Sequence, residues 1–270
     1  MQKRNLMFCL ALSVSMPVAV AAAAASPDSQ PASKAAPTAK LSAAEIVDKN
    51  VAARGGLAAW RAVTSISMSG QMEAGGKKNT QLPFVMTMKR PARMRVEIEF
   101  QGSRAVQVYD GENGWKLRPY LGRNDVEPYS PEEAKKAAEQ QGLDGLLIDY
   151  AAKGTKVALE GTEPVEGHTA YKLKLTLKDG SVLHDWVDAQ TWLELKIEGF
   201  PRLLNHKLHP VFVYFRDYKS VNGLQIPFVM ETAVTGVAQT HKMTVEHVAV
   251  NPSLEDKLFT KTSLVAFAQP

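Results

Sequence analysis

The sequence of 270 residues contains a single cysteine, Cys9. One cysteine cannot form an internal disulfide, and it excludes zinc and iron–sulfur sites that are built from several thiolates. The chain also has little net charge, because 32 Lys and Arg stand against 28 Asp and Glu, a formal balance of +4. No basic stripe interleaved with aromatic residues is present. We therefore expect no nucleic-acid partner.

Sequence motifs of catalysis are missing as well. There is no Gly-x-Ser-x-Gly elbow, no Walker loop and no Gly-x-Gly-x-x-Gly run after a predicted strand. His206 and His209 have a spacing that two metal ligands could use, but no third ligand is indicated nearby. His184 and Asp185 are adjacent on a predicted strand, so they point to opposite faces. We expect no catalytic residue, metal or cofactor; a hydrolase assembled from dispersed residues remains an open alternative.

The N-terminus has the pattern of a secretory signal peptide over residues 1–25. A short basic start precedes an apolar stretch at 6–20, and alanines at 21–25 offer a small-residue cleavage site. The first mature residue would be Ser26, whereas a lipidated mature terminus would need a cysteine there. Since Cys9 precedes the cleavage site, we expect an exported periplasmic protein without a lipid anchor. A permanent N-terminal anchor is the alternative.

Residues 26–40 are rich in Pro, Ala and Ser and contain no large apolar side chain. Such a segment cannot bury a core, and we expect a flexible tether. No comparable linker and no repeat follows downstream. We therefore expect one domain over residues 41–270.

Two helices are predicted from capping signals. The first begins at Ser42, because Glu45 stands three residues further on, which is the spacing of a capping box. The second runs over 130–151, with Gly142 and Gly145 as points where it can kink or break. Its second half carries an apolar stripe, formed by Leu143, Leu146, Leu147, Tyr150 and Ala151.

Most of the remaining chain alternates between apolar and polar residues with a period of two, which is typical of half-buried strands. Asp179-Gly180 and Asn222-Gly223 predict tight hairpins between such strands. About ten to twelve antiparallel strands with two or three helices indicate a mainly β protein. A curved sheet or incomplete barrel with helices on its apolar face fits this pattern.

Methionine is the one unusual component, with ten residues against nine phenylalanines. The seven that follow the signal segment all lie on predicted strands: Met68, Met72, Met86, Met88, Met94, Met230 and Met243. Methionine is flexible and polarizable, so a wall of it adapts to apolar ligands of different shapes. The same residues could instead fill the core beneath a helix. The large apolar face of the predicted sheet favours a cavity, since two helices do not easily cover it.

Three short motifs, in this order along an exported chain, resemble the LolA/LolB-like family of outer-membrane lipoprotein-sorting proteins. They are Lys89-Arg90-Pro91, Tyr109-Asp110-Gly111 followed by Trp115, and Asp217-Tyr218-Lys219 followed by Asn222 to Pro227. The resemblance covers roughly residues 41–262. This chain is longer than a typical carrier of the family and lacks the lipidated cysteine of the receptor.

The resemblance implies a half-open antiparallel β-barrel with a helical lid over an apolar cavity. By match to the family's Lys-Arg-Pro motif, Arg90 would bind the lid and control its opening; a plain surface charge is the alternative. The residues expected to line the cavity are Met68, Met72, Phe84, Met86, Met88, Met94, Val96, Ile98, Phe100, Leu143 and Leu147.

The expected function is that of a non-enzymatic periplasmic carrier or chaperone for lipoprotein acyl chains or another lipid. Its partners would be an inner-membrane donor and an outer-membrane acceptor, and we expect a monomer. Because the family also includes envelope-stress sensors, a lipid- or lipoprotein-responsive interaction module is an alternative.

Overall fold

A single antiparallel sheet dominates the computed structural model, which describes residues 41–73, 80–100, 102–139, 142–204 and 206–268. Its thirteen described strands are β1 Ser65–Glu73, β2 Gln81–Lys89, β3 Arg93–Phe100, β4 Ser103–Tyr109, β5 Gly114–Arg118, β6 Arg123–Pro128, β7 Lys156–Val165, β8 His168–Thr176, β9 Val182–Asp188, β10 Glu194–Leu204, β11 Lys207–Val221, β12 Leu224–Val234 and β13 His241–Val250. Their order across the sheet is β6-β5-β4-β3-β2-β1-β13-β12-β11-β10-β9-β8-β7. Because β6 and β7 are the edges and do not pair, the sheet stays open. The predicted half-open antiparallel fold is confirmed, with slightly more strands than expected.

The apolar residues that alternate along β1, β2 and β3 share one face of the sheet. Met68 pairs with Met86, and Met86 in turn pairs with Val96 on β3. On the other side of β1, Met72 pairs with Met243 of β13. We call the face that carries these side chains the inner face. It continues across the junction of β1 with β13, which joins the two halves of the sheet.

Four α-helices accompany the sheet: α1 Ala43–Ala53, α2 Leu57–Ala62, α3 Pro131–Glu139 and α4 Lys261–Ala268. The capping box predicted at the start of α1 is present. The Glu45 amide donates to Ser42 Oγ at 3.2 Å, and the Ser42 amide donates to Glu45 Oε2 at 2.7 Å. Two short 3-10 helices lie at Pro119–Leu121 and Asp256–Phe259.

The helix predicted over 130–151 is wrong in its second half. Helix α3 ends at Glu139, and residues 142–154 form consecutive turns instead. Gly142, Gly145 and Asp149 have φ values of 58°, 79° and 54°, which a right-handed helix cannot accommodate. Part of the apolar stripe is nevertheless buried: Leu147 is fully enclosed and Leu143 nearly so, whereas Ala151 is exposed. We call residues 142–154 the cover segment.

The cover segment, α1 and α2 pack on the inner face and form two buried clusters with it. Trp60 of α2 packs with Leu143 and Ile148 against β1, β2, β12 and β13. Ile46 and Leu147 pack against the leucines of β8 and β9. These contacts bury the side chains that an amphipathic segment must hide from water.

Helix α4, which the sequence patterns did not indicate, packs on the opposite side of the sheet. Phe259 and Leu264 are fully buried there against Val106, Val108 and Leu117 of β4 and β5. We call this side the outer face. The sheet is therefore covered by apolar side chains on its outer face at β4 and β5, in addition to the segments that cover its inner face.

The predicted signal peptide at 1–25 and tether at 26–40 lie outside the described residues. Among the helices of the described part, none is both long enough and apolar enough to cross a bilayer.

Candidate functional site

A cavity of about 710 Å³ lies over the inner face, between the sheet and the segments that cover it. All seven methionines that follow the signal segment line it, namely Met68, Met72, Met86, Met88, Met94, Met230 and Met243. They come from five consecutive strands of the sheet, in the order β3, β2, β1, β13 and β12, so they form a continuous wall. The volume falls within the range of small-molecule sites, roughly 300–1,000 Å³.

Most residues singled out from the sequence lie on this wall. Those that line the cavity are Met68, Met72, Phe84, Met86, Met88, Met94, Val96 and Leu143. Three others lie elsewhere. Ile98 packs against the neighbouring core, Phe100 contacts Tyr120 edge-on with ring centroids 6.2 Å apart, and Leu147 is enclosed beneath α1.

The second half of the sheet supplies lining residues that were not included among the candidates. The sequence predicts that Met230 and Met243 lie on strands, but it does not place them among the residues expected to line the cavity. Val213 and Phe215 of β11 and Trp60 of α2 also line it. The alternation of β11 and β12 was visible, but only the pairing of β13 with β1 brings these strands to the same wall.

The cover segment is held to the sheet through Asp144, whose side chain is only 3% exposed. Arg90, at the turn between β2 and β3, donates to Asp144 Oδ2 at 2.7 Å. The same guanidinium donates to the backbone carbonyls of Val63 at 2.7 Å and Trp60 at 3.2 Å, where α2 ends. Lys153 binds the other carboxylate oxygen of Asp144 at 2.8 Å. Arg90 thus ties α2, the cover segment and the sheet together through the fork of donors that an arginine presents.

A second tie lies deeper, at the polar end of the wall. Arg54, just after α1, forms an ion pair of 3.0 Å with Glu194 of β10, and each side chain is only 7% exposed. Arg54 also donates to the Asp144 carbonyl at 3.1 Å. The Tyr218 hydroxyl donates to the Glu194 carbonyl at 2.9 Å. Arg54, Glu194 and Tyr218 line the cavity, so this end is polar but its charges are paired.

Burial perturbs the ionisable groups at this polar end. The pKa of the Asp185 carboxyl is raised well above its usual range by burial and, after that, by the negative charge of Glu194. Burial likewise raises the pKa of the Tyr218 hydroxyl well above its ordinary value. Both groups therefore favour their neutral forms, as expected where water is excluded.

None of the six histidines is among the residues that line the cavity, and all six are at least partly exposed. His184 lies opposite Lys174 on β8 and contacts Glu198 and Glu160, while Asp185 is buried. His209 Nδ1–H donates to the Thr235 carbonyl at 2.8 Å. Within the described residues, no group of three or more His, Cys, Asp or Glu side chains is arranged to hold a metal ion.

Comparison with solved structures identifies the architecture. The chain is similar to a LolA superfamily protein from Nitrosomonas europaea, at 15% identity and a TM-score of 0.55, over 83% of this chain and 100% of that one. It is similar to a DUF1329 family protein from Desulfovibrio piger, at 16% identity and a TM-score of 0.56, over 82% and 98% of the two chains. A putative outer membrane lipoprotein-sorting protein domain from Vibrio parahaemolyticus matches at 14% identity and a TM-score of 0.55, over 82% and 97%.

No family model and no curated protein matches the sequence itself. At identities this low, the structural similarity establishes the fold. The chain has a LolA-like fold, and the resemblance inferred from its motifs is confirmed at that level.

Proposed function

We propose that this LolA-like chain is a non-enzymatic carrier or chaperone that sequesters the acyl chains of lipoproteins, or another lipid, in its cavity. The observation that carries the proposal is the wall of seven methionines around about 710 Å³ of space. Methionine side chains adjust to apolar shapes through three rotatable bonds, which suits chains that differ in length and bend. Burial contributes about 0.8 kcal/mol per methylene, so an acyl chain binds without covalent chemistry.

The cover segment lies over part of the cavity, so loosening this segment would widen the path for release. Arg90 is suited to control this step, since its guanidinium joins the Asp144 carboxylate of the cover segment to backbone carbonyls at the end of α2. We propose that a receiving partner competes for these contacts and so opens the cover. Loading and delivery would involve an inner-membrane donor and an outer-membrane acceptor, with the carrier acting as a monomer and without a cofactor.

The proposal places the carrier in the periplasm. The signal pattern at 1–25, the tether at 26–40 and the single domain over 41–270 support export followed by release of an unlipidated protein. The similarity to a putative outer membrane lipoprotein-sorting protein domain supports the same assignment.

The test begins with the protein isolated from the cell envelope and weighed intact by native mass spectrometry. We expect a co-purifying mass of lipid, and displacement of a fluorescent fatty acid by unlabelled lipid. Met86→Glu should lower the affinity for the fluorescent fatty acid at least about a hundredfold, because an acyl chain would then have to desolvate a carboxylate.

Val85→Glu is the matched control, because Val85 is the neighbouring residue on β2 but is 40% exposed. It introduces the same charge on the same strand away from the cavity, so its affinity should equal that of the wild type. The proposal fails if the wild type carries no lipid and binds no fluorescent fatty acid. It also fails if Met86→Glu binds as well as Val85→Glu while both retain the native circular dichroism spectrum.

A further inference from the structure

The tip of the β10–β11 hairpin is the most exposed apolar feature of the described residues. Leu203 and Leu208 are 56% and 67% exposed, and they are directly paired across the two strands. Their side chains therefore stand side by side on one face of the hairpin. A single exposed leucine is unremarkable, but two adjacent ones at a projecting tip form a small patch.

The hairpin projects beyond its neighbours in the sheet. The pairing of β10 with β9 ends at Ile197 opposite Asp185, and that of β11 with β12 ends at Val211 opposite Val234. Past these points β10 and β11 pair only with each other, as Arg202 with His209 and then Leu203 with Leu208. A two-stranded ribbon has no core of its own in which to bury leucines. Their exposure is thus a property of the tip that folding alone does not require.

The charge around the two leucines is of one sign. Arg202 and Lys207 are next to them in the sequence, which has no acidic residue between Glu198 and Asp217. Among the described residues, no side chain forms an ion pair with Arg202 or Lys207. Because Arg202 and Lys207 alternate with the leucines along the two strands, they lie on the opposite face of this narrow ribbon. A tip with leucines on one face and these cations on the other is complementary to an anionic lipid surface, where acyl boundary and phosphate headgroups lie next to each other.

A second exposed apolar site shows the difference. Leu121 is 52% exposed and also lies near arginines. Those arginines, Arg118 and Arg123, both form ion pairs with Glu127, at 2.6 Å and 3.2 Å. Glu127 therefore compensates part of their charge locally, and this site attracts anionic lipid less than the hairpin tip does.

We propose that the tip of the β10–β11 hairpin, residues 202–204 and 206–208, docks on an anionic phospholipid surface with Leu203 and Leu208 inserted at the interface. Strands rise about 3.4 Å per residue, so three residues on each strand reach about 10 Å, comparable with the depth of interfacial anchors, about 5–10 Å. Two leucines and a few cations give weak, reversible attachment. Arg202 also lines the cavity, so the docked tip is continuous with the cavity wall.

The test uses vesicles of phosphatidylethanolamine and phosphatidylglycerol, with phosphatidylcholine vesicles for comparison. The protein is isolated in the form that the cell accumulates, and its intact mass establishes which N-terminus it carries. We expect binding to the anionic vesicles only. The double substitution Leu203→Ser/Leu208→Ser should lower the partition coefficient at least about tenfold, whereas Leu121→Ser should leave it unchanged. Lys207→Gln should lower it about fivefold, by an amount that shrinks as salt is added.

A second measurement reports insertion directly. An environment-sensitive dye on Leu208→Cys, in a Cys9→Ser background, should shift to shorter wavelength with anionic vesicles and not with phosphatidylcholine. The proposal is overturned if the wild type does not bind anionic vesicles, which would leave a protein partner for the tip. It is also overturned if the double variant binds like the wild type or if the dye stays in water. Fluorescent fatty acid affinity, measured on the same samples, tests the cavity separately and should not change with any hairpin variant.

Discussion

Asp185 is the residue whose chemistry depends most on its surroundings. It lies fully buried on β9 beside Glu194. Because burial disfavours the carboxylate, the pKa of Asp185 is raised in the folded protein. The unfolded chain has an ordinary carboxyl and loses its proton at lower pH. The folded state is therefore penalised increasingly as the pH rises from the usual aspartate pKa through the raised one.

We predict that Asp185→Asn stabilises the protein at neutral pH. The amide keeps the shape of the carboxyl but has no charge to desolvate, so the penalty disappears. The free energy of unfolding should rise by at least about 1.4 kcal/mol near pH 7, equivalent to a tenfold change in one ionisation equilibrium. Below about pH 3 the two proteins should be equally stable, because Asp185 is then protonated in both states. Urea unfolding across this pH range measures the difference.

Asp179 serves as the control with the opposite sign. Hydrogen bonds from the Ser181 backbone and hydroxyl lower the pKa of this fully exposed carboxyl. Its contribution to stability is thus present at neutral pH and is lost as the pH falls, so Asp179→Asn should not stabilise the protein near pH 7. Equal stabilisation by the two substitutions would rule out burial of Asp185 as the cause.

At the scale of elements, local signals were reliable where a short-range rule decides the conformation. Asn222-Gly223 forms a two-residue turn with positive φ at both positions, 51° and 82°, as a tight hairpin between β11 and β12 demands. The capping box of α1 and the alternation of β1 to β3 were equally readable. In each case neighbouring residues alone determine the geometry.

The cover segment shows where such reading fails. Its leucines follow helical spacing, and Leu143 and Leu147 are buried, yet the backbone turns at Gly142 and Gly145. We infer that the contacts of Arg90 and Arg54 with Asp144 stabilise the turned conformation more than helical hydrogen bonds would. Helix propensity is a weak preference that tertiary contacts override. The helix break was foreseen at these glycines, but its replacement by turns was not.

We predict that Arg90→Leu loosens the cover segment while the sheet stays intact. The Asp144 carboxylate would keep its ion pair with Lys153 but lose its ion pair with Arg90, which connects it to α2. Arg90 is 34% exposed, so we expect a cost of about 1.4 kcal/mol rather than the 3–5 kcal/mol of a fully buried pair. Amide hydrogen exchange over 142–154 should accelerate about tenfold, and a bound fluorescent fatty acid should dissociate faster.

Arg61→Leu provides the comparison for this element. Arg61 binds Asp149 of the same cover segment through two hydrogen bonds, but its side chain is 61% exposed. Exposed pairs contribute little, so exchange should change far less than in Arg90→Leu. If the Arg90 variant exchanged like the wild type, or if Arg61→Leu had the larger effect, Arg90 would not control the cover.

At the scale of the whole molecule, strand residues that face a packed core and strand residues that face a cavity have the same sequence pattern. Val106 and Val108 of β4 face helix α4, whereas Met230 of β12 faces the cavity. Both environments demand apolar residues with a period of two, so alternation alone does not separate them. Only the choice of methionine pointed to the cavity, and only the junction of β1 with β13 shows how far its wall extends.

This difference between the faces leads to a prediction about stability and binding. Phe259 is fully enclosed on the outer face, so Phe259→Ala should cost about 4 kcal/mol of unfolding free energy. Met230 is only half-buried and contacts the cavity, so it has fewer packing partners to lose. Met230→Ala should cost less than about 1 kcal/mol of stability but weaken binding of the fluorescent fatty acid about fivefold.

The two variants therefore separate the two roles of the sheet. Denaturant unfolding of the ligand-free protein gives the stability, and a titration in native buffer gives the affinity of the same sample. We expect Phe259→Ala to bind within about twofold of the wild type despite its lower stability, since its packing lies on the other side of the sheet. If stability and affinity instead fell together in both variants, the methionine wall would be part of the packed core. Because a packed core has no room for an acyl chain, that result would count against the carrier as well as against the division of the faces.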